Sequence, residues 1–322
     1  MTKKSFDIKR FLLENNIAIV LIILFLYAFL AVPFFGSHNN LYKLVADFSM
    51  YGIVALGMTF LLISGEIDLS LGMIVAISTI SSAYFGSKFG AFMGITGTLI
   101  CCIIIGLING LLVVKLRIPS LIATIGTMNI LTGLGYLMSE GKSVGNTNEF
   151  LRNIYSFRLF DIRLLQSPVI LFIVFLIVLG IILHKTRFGN GVFVIGGNEE
   201  AGYTAGINIE FTKIMCFIIA AFCAGITGIL MSSYTFAGAV AYGDGLNITI
   251  ISACVIGGVR FTGGKGSALR TLLGIIVVRT IMNISSLLSF DSWAQNLLTG
   301  GMLVLVLIID RFTGEQKLED AC

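Results

Sequence analysis

Long apolar stretches, separated by short polar ones, follow one another along most of this chain. A helix needs about 20 apolar residues to cross the hydrocarbon core of a bilayer. Runs near that length predict ten spans: 17–35, 42–64, 71–88, 91–114, 119–138, 167–184, 213–236, 246–259, 267–288 and 293–310. We therefore expect an all-α integral membrane protein in which residues 1–322 form a single transmembrane domain.

Two of the polar breaks occupy corresponding places in the two halves of the chain, at 64–72 after the second span and at 241–249 after the seventh. Each precedes a run that can restart as a helix. The predicted capping residues are Asp68 or Ser70 in the first half and Asn247 or Thr249 in the second.

The two halves, at about 42–138 and 213–310, start on opposite sides of the membrane, which predicts an inverted repeat. Paired broken segments indicate a transport path, because irregular backbone at membrane depth must face protein or water. Ordinary turns between helices are the alternative interpretation.

A polar segment at 186–212 joins the two halves. Its Gly-Gly-Asn sequence at 196–198 is a turn signal, and Asn198 can cap a helix that starts at Glu199. Glutamates in the first turn suit the helix dipole, and Gly206 can end the helix in the left-handed conformation. The segment therefore predicts a short surface helix, for which a docking partner is a good reason.

Composition agrees with a membrane protein. The 322 residues are 57% hydrophobic and 12% charged, whereas a soluble domain is about 25% charged. The net charge of +4 comes from residues at span ends rather than along one face, which argues against a nucleic-acid surface. The six cysteines lie mostly in apolar runs, so we expect them to pack as small hydrophobes, without a disulfide framework or a metal site.

Positive residues also predict the orientation. Basic residues near the N-terminus place it in the cytoplasm, and the alternation of ten spans places the C-terminus and the pairs Lys115/Arg117, Lys185/Arg187, Arg260/Lys265 and Arg311/Lys317 there too. The loop at 139–165 departs from this rule with four basic residues outside, and its length suits a small external cap.

Four motifs occur in order across nearly the whole chain. They are Gly57-Met58-Thr59 through I-S-G-E-I-D-L-S-L-G, the stretch 106–128, H-K-T-R-F-G-N with I-G-G-N-E-E-A at 184–201, and V-I-G-G-V-R-F-T-G-G-K-G at 255–266. Together they resemble the membrane permease subunits of ABC importers in the ribose/galactofuranose family, relatives of the branched-chain amino-acid permeases. The resemblance implies a type II ABC importer permease fold in a bacterial cytoplasmic membrane.

The resemblance also implies partners: a second permease subunit (the same chain or a different one), two cytoplasmic ATPase subunits that bind ATP and magnesium, and an extracytoplasmic solute-binding protein. It implies that the surface helix is the coupling helix that docks in the ATPase. The residues expected to couple are Gly196, Gly197, Asn198, Glu199, Glu200, Ala201, Gly206 and Ile207.

No phosphate-binding loop is recognisable in the chain, because the glycines at 263–266 lack both the spacing and the hydroxyl residue of G-x-x-x-x-G-K-[ST]. We therefore expect no cofactor in this chain and no enzyme activity of its own. We expect the glycines at 263–266 to let two helices turn tightly at the cytoplasmic face.

Several polar residues inside predicted spans or breaks are candidates for a solute path: Glu66, Asp68, Ser70, Asn109, Asn129, Asn247, Thr249 and Arg279. The alternative for the amides of Asn109 and Asn129 is hydrogen bonding between helices.

Charges depart from the family pattern at several positions. In the family that this chain resembles, the position of Thr132 is usually Arg, and the positions of Asn247 and Thr249 are usually Glu and Asp. The positions of Glu66 and Arg279 usually carry small residues. A lone charge near mid-bilayer costs at least ~2.5–3.5 kcal/mol. We hypothesise that Glu66 and Arg279 face the path and pair. The alternative has Arg279 reaching the outer interface and Glu66 solvated in a loop.

The sequence predicts a permease subunit that carries a small polar solute, a monosaccharide, inward with energy from ATP hydrolysis by partner subunits. An ion-coupled secondary transporter with broken helices is the main rival. An integral-membrane enzyme is disfavoured, because no nucleophile–base pair or His/Cys cluster stands out.

Overall fold

The structure is a computed structural model that describes residues 16–291, 293–295, 297–302, 304 and 308. Helices make up most of this part of the chain. They are α1 (Asn16–Ala31), α2 (His38–Ile63), α3 (Leu71–Phe89), α4 (Ala91–Val114), α5 (Ser120–Ser139), α6 (Glu149–Asn153), α7 (Ser167–Lys185), α8 (Arg187–Gly197), α9 (Glu199–Thr204), α10 (Ile209–Thr235), α11 (Leu246–Ile256) and α12 (Ala268–Leu287). The expected helical character is confirmed.

The remaining regular structure is small. Strands β1 (Val144–Gly145) and β2 (Ala237–Gly238) pair antiparallel, with Val144 opposite Gly238. Short 3₁₀ helices form at Leu159–Asp161 and Val240–Gly243.

Six described helices are long and apolar enough to cross a membrane, namely α2, α4, α5, α7, α10 and α12, and each coincides with a predicted span. Two shorter apolar segments, Ile17–Ala31 and Val240–Ile256, coincide with two further predicted spans. Helix α3 forms where 71–88 predicts it, but serine and glycine make its sequence less apolar. The last predicted span is only partly described. The count of ten therefore stays a prediction. The basic residues at both termini also lie outside the described residues, so the orientation stays a prediction too.

Helix α3 lies at the centre of the bundle, where most of its residues are buried against α4, α5 and α10. Small residues allow this close packing: a Cβ added at Gly228 of α10 would lie 2.3 Å from the Cβ of Ser78. The buried hydroxyls of Ser78 and Thr79 donate to carbonyls of their own helix. α3 is thus a buried helix that carries several polar side chains among apolar ones.

The bundle has two distinguishable ends. At the end that carries the 139–165 loop (the loop end), Leu151 of α6 contacts Gly86 of α3, and Tyr155 donates its amide to Ser233 of α10. The predicted cap is therefore an ordered cover, in which burial raises the pKa of the Tyr155 phenol above its usual value. The opposite end carries α9 (the α9 end).

Candidate functional site: the two breaks and the surface helix

The two predicted breaks lie against each other in the interior. A Cβ added at Gly72 would lie 2.7 Å from the carbonyl oxygen of Gly243 and 3.2 Å from the amide nitrogen of Asn247. The side-chain amide of Asn247 also donates to the carbonyl of Leu69, at 3.2 Å. Backbone therefore meets backbone here, and only glycine at position 72 permits the approach.

The first break is held by a closed polar network. Oδ1 of Asp68 accepts from the amide of Ser70 at 2.7 Å and from its hydroxyl at 2.5 Å. The amide of Asn109 donates to Oδ2 of Asp68 and to Oγ of Ser70, and its Oδ1 accepts from the hydroxyl of Thr127 at 2.7 Å. Because Asp68, Ser70 and Asn109 are at most 1% exposed, they join helices and do not line an open path in this conformation.

Helix α5 supplies the remaining partners of this break. The amides of Ile67 and Leu69 donate to the hydroxyls of Ser120 (3.3 Å) and Thr124 (3.1 Å). Asn129, further along α5, is exposed, and its amide donates to the carbonyl of Ile125 in the same helix. The two candidate amides therefore differ: Asn109 bonds between helices, whereas Asn129 lies on an uncovered face.

The predicted helix caps at the breaks are mostly wrong. Ser70 is the residue before α3, but its side chain makes no capping bond, because it donates to Asp68. Helix α11 begins at Leu246 after Gly245, so its first turn includes Asn247 and Thr249. Thr249 donates its hydroxyl to the carbonyl of Gly245 instead of accepting an amide. The left-handed φ of 69° at Gly245 makes this start possible.

The expected ion pair between Glu66 and Arg279 is also wrong. Arg279 binds Asp47 of α2 through two bonds, from Nε to Oδ2 (2.6 Å) and from the terminal nitrogen to Oδ1 (2.8 Å). Its guanidinium lies 4.0 Å from the ring centroid of Tyr51. Glu66 instead contacts Nζ of Lys213 at 2.8 Å. Each charge has a nearer opposite charge at its own depth in the bundle, which is why the two do not meet.

Sequence reasoning missed Asp47 as the partner of Arg279, although a signal exists. Asp47 is an acidic residue near the start of the predicted second span, and Arg279 lies in the second half of the predicted ninth span. The predicted topology places these parts of the two spans on the same side of the membrane. The pairing follows from the antiparallel contact of α2 and α12, in which Thr59 and Thr271 bring their hydroxyls within 2.6 Å. That contact is non-local, so span positions suggest the pair but do not establish it.

The predicted surface helix is present as α9. Oδ1 of Asn198 accepts from the amides of Glu200 (2.9 Å) and Ala201 (3.1 Å). At the other end Gly206 has a φ of 73°, and the amide of Ile207 bonds to the carbonyl of Gly202. Both predicted ends are confirmed, and they follow from local capping chemistry.

A second helix in the polar segment, α8, is not predicted by the sequence. It contains four glycines, a residue that disfavours helix by about 1 kcal/mol relative to alanine. Packing explains it, since a Cβ at Gly189 would lie 2.1 Å from the carbonyl oxygen of Leu183. The tight turn from α7 into α8 therefore requires glycine.

The base of α9 is attached to the bundle by a contact that we call the glycine junction, formed by Ile63, Gly196, Gly197, Gly263 and Gly264. The amide of Gly264 donates to the carbonyl of Ile63 at 2.9 Å. A Cβ at Gly196 would lie 1.7 Å from that same carbonyl oxygen. The junction thus joins the end of α8 to the residue that precedes the first break and to the turn between α11 and α12, where Gly263 and Gly264 have the expected left-handed φ.

Lys213, in the second turn of α10, adds an ionic contact beside the junction. Its Nζ lies 2.8 Å from Oε1 of Glu66 and 2.9 Å from Oε2 of Glu199. Side chains of Lys213 and Glu66 are 13% and 11% exposed, whereas that of Glu199 is 58% exposed. One cation therefore joins the first break to α9.

No cluster of His, Cys, Asp or Glu suited to a metal ion occurs among the described residues. The described cysteines are free, and Cys102, Cys216, Cys223 and Cys254 are buried, as expected for small hydrophobes. The arrangement is one of broken helices, a buried polar network and an exposed capped helix joined to them.

This arrangement is that of a membrane transport subunit, and comparison with known proteins gives the family. Residues 40–307 match the family described as the branched-chain amino acid transport system / permease component. The match covers most of the chain, and the chain belongs to this family.

Individual relatives cover nearly the full length. The chain is 34% identical to the L-arabinose transport system permease protein AraH of Escherichia coli, over 98% of this chain and 95% of that protein. It is 30% identical to the ribose import permease protein RbsC of E. coli, over 94% and 95%. It is 33% identical to the inner membrane ABC transporter permease protein YjfF of E. coli, over 91% and 89%. No solved structure matches the chain significantly.

Proposed function

We propose that this chain is the transmembrane permease subunit of an ATP-driven ABC importer that carries a small polar solute, a monosaccharide, into the cytoplasm. The observation that carries the proposal is α9, a capped and exposed helix joined to the first break by the glycine junction and by Lys213. The relatives named for L-arabinose and ribose support a sugar as the solute.

In this proposal α9 is the coupling helix. A partner ATPase, which would bind ATP and magnesium, docks on the exposed surface that includes Glu199, Glu200 and Ala201. Gly196 and Gly197 attach the helix to the bundle, while Asn198, Gly206 and Ile207 form its ends. The permease itself performs no ATP chemistry.

The solute path runs beside the breaks, along the uncovered face of α5. Asn129 lies on this face between Gly126 and Gly133, and a Cβ added at either glycine would meet no atom within 4 Å. An amide is unfavourable against lipid, and small residues let a second helix approach closely. We infer that this face meets a second permease subunit, identical or different, and that Asn129 and the half-buried Asn247 adjoin the path.

The proposed architecture is an inverted repeat of ten spans with both termini in the cytoplasm of a bacterial inner membrane. Its support is that α2 and α10 begin at opposite ends of the bundle, and that the breaks after them meet at Gly72 and Gly243. The α9 end would be cytoplasmic. The loop end would then face an extracytoplasmic solute-binding protein.

Affinity purification of the tagged chain from its native membrane tests the proposal. We expect an ATPase subunit to co-purify, and uptake of a labelled monosaccharide to require both ATP and that subunit. Purification without any ATPase, together with uptake driven by an ion gradient, would instead favour a secondary transporter.

A further inference from the structure

We propose that Lys213 is a positioning residue that makes the first break respond to the position of α9, through its two ion pairs with Glu66 and Glu199. This inference rests on the proposed function, because it assumes that an ATPase moves α9. It goes further by naming the side chains that carry the movement to the break.

The geometry on the break side is tight. The amide of Glu66 donates to the carbonyl of Leu61 at 2.9 Å, which folds the chain back directly after α2. The next residue, Ile67, donates its amide to Ser120 at the start of α5. Glu66 is 9% exposed, so its carboxylate needs a cation that reaches it inside the protein, and Lys213 supplies one. A displacement of Lys213 therefore acts on the point where α2, the break and α5 meet.

The geometry on the α9 side is open. Glu199 lies in the first turn of α9, and more than half of its side chain is exposed, so a docking protein can reach it. The neighbouring Glu200 is exposed too, but makes no ion pair with any other described residue. Only one of the two adjacent glutamates is therefore connected to the interior.

Charge and reach make the three groups interdependent. One ammonium group serves two carboxylates, so the three groups together carry a net negative charge. The two carboxylates therefore compete for Lys213. An ion pair needs nitrogen and oxygen within about 4 Å. When α9 moves further than this, Lys213 must either follow Glu199 and leave Glu66, or stay and give up Glu199. In both cases the forces on Glu66 change.

The first test needs no partner protein. The full chain in lipid nanodiscs is compared by hydrogen exchange with Glu199→Gln and with Glu200→Gln, a matched control on the same helix turn. We expect Glu199→Gln to lower exchange in 64–70 by about fivefold, because Lys213 then serves Glu66 alone, and Glu200→Gln to leave it unchanged. Equal exchange in 64–70 for both variants overturns the inference.

The second test uses the complex with the co-purifying ATPase. We expect Lys213→Met to retain the ATPase and hydrolyse ATP, yet to transport about tenfold less sugar per ATP. Lys213→Arg should restore most of the yield. The control Lys115→Met removes an exposed pair with Glu210 at the same end and should have little effect. Normal yield per ATP in Lys213→Met overturns the inference alone, whereas a wild-type chain that retains no ATPase overturns the proposed function.

Discussion

At the residue scale, Arg279 shows how a charge is accommodated inside an apolar bundle. Asp47 neutralises it with two hydrogen bonds, and the face of the Tyr51 ring covers the guanidinium. Such forked pairs are favourable because both the charge and the geometry match. Most of their effect on stability is seen when one partner is removed, since the other charge then stays buried alone.

We therefore expect Asp47→Asn to lower the free energy of unfolding by about 3 kcal/mol, near the low end for a broken buried pair because Asp47 is partly exposed. Thermal unfolding in detergent measures this loss. The double variant Asp47→Asn with Arg279→Gln should recover part of it, because the unpaired cation is gone. Asp244→Asn, at an exposed position, is the control. Strictly additive losses in the double variant would show that the pair contributes nothing of its own.

At the scale of elements, local chemistry explains α9 and tertiary contact explains α8. The cap at Asn198 and the left-handed Gly206 can be predicted from a few neighbouring residues. Helix α8 is harder to predict in this way, because its glycines oppose helix formation, and the close contacts of Gly189 with Leu183 and of Gly196 with Ile63 are seen only in the fold. The caps expected at the breaks failed for two different reasons. Ser70 donates its hydroxyl to the neighbouring Asp68, whereas Asn247 donates to Leu69 in another part of the fold.

The glycine junction gives a prediction with an adjacent control. Gly196→Ala places a Cβ 1.7 Å from the carbonyl oxygen of Ile63, whereas Gly197→Ala meets no atom within 4 Å. We expect Gly196→Ala to lower the free energy of unfolding by about 1–3 kcal/mol through overpacking, and Gly197→Ala to leave it unchanged. Melting temperature and yield of purified protein measure both. Equal tolerance of the two substitutions would contradict the close contact.

The surface of α9 gives a second prediction at this scale. Arginine at both Glu199 and Ala201 reverses charge and adds bulk on an exposed helix, so insertion and folding should be normal while ATPase retention is lost. Co-purification measures the result, with Glu140→Arg at the loop end as the control. Normal ATPase retention and normal uptake in the double variant would remove the coupling assignment.

At the scale of the whole molecule, apolar runs predicted most of the helices but not their partners. Thr59 with Thr271 and Asn40 with Asn283 bring α2 and α12 together along their lengths, and no run of hydropathy specifies such a register. The two breaks correspond by their positions in the two halves of the sequence, and the structure brings them into contact at Gly72, which the sequence does not specify. The pairing of Glu66 with Arg279 rests on opposite charge and on their shared departure from the family pattern, neither of which reports depth in the bundle, and it is wrong.

Orientation is a prediction for the whole molecule. A single cysteine at Ser156 should react with an impermeant thiol reagent from outside the cell, and single cysteines at Asn190 or Lys265 should not. Native background is low because most described cysteines are buried, and Cys322→Ser with Cys101→Ser reduces it further. Labelling at Asn190 from outside would invert the topology and place α9 where no ATPase can reach it.

The backbone contact between Gly72 and Gly243 leaves no gap between the two breaks. In the proposed dimer, each chain offers one wall of the passage, and the passage exists only where two walls face each other. For a homodimer, cells that express normal and wall-defective chains equally would assemble about three quarters of their dimers with at least one defective wall. A defect at Asn129 should therefore behave as partly dominant in co-expression, whereas a chain that fails to fold should behave as recessive.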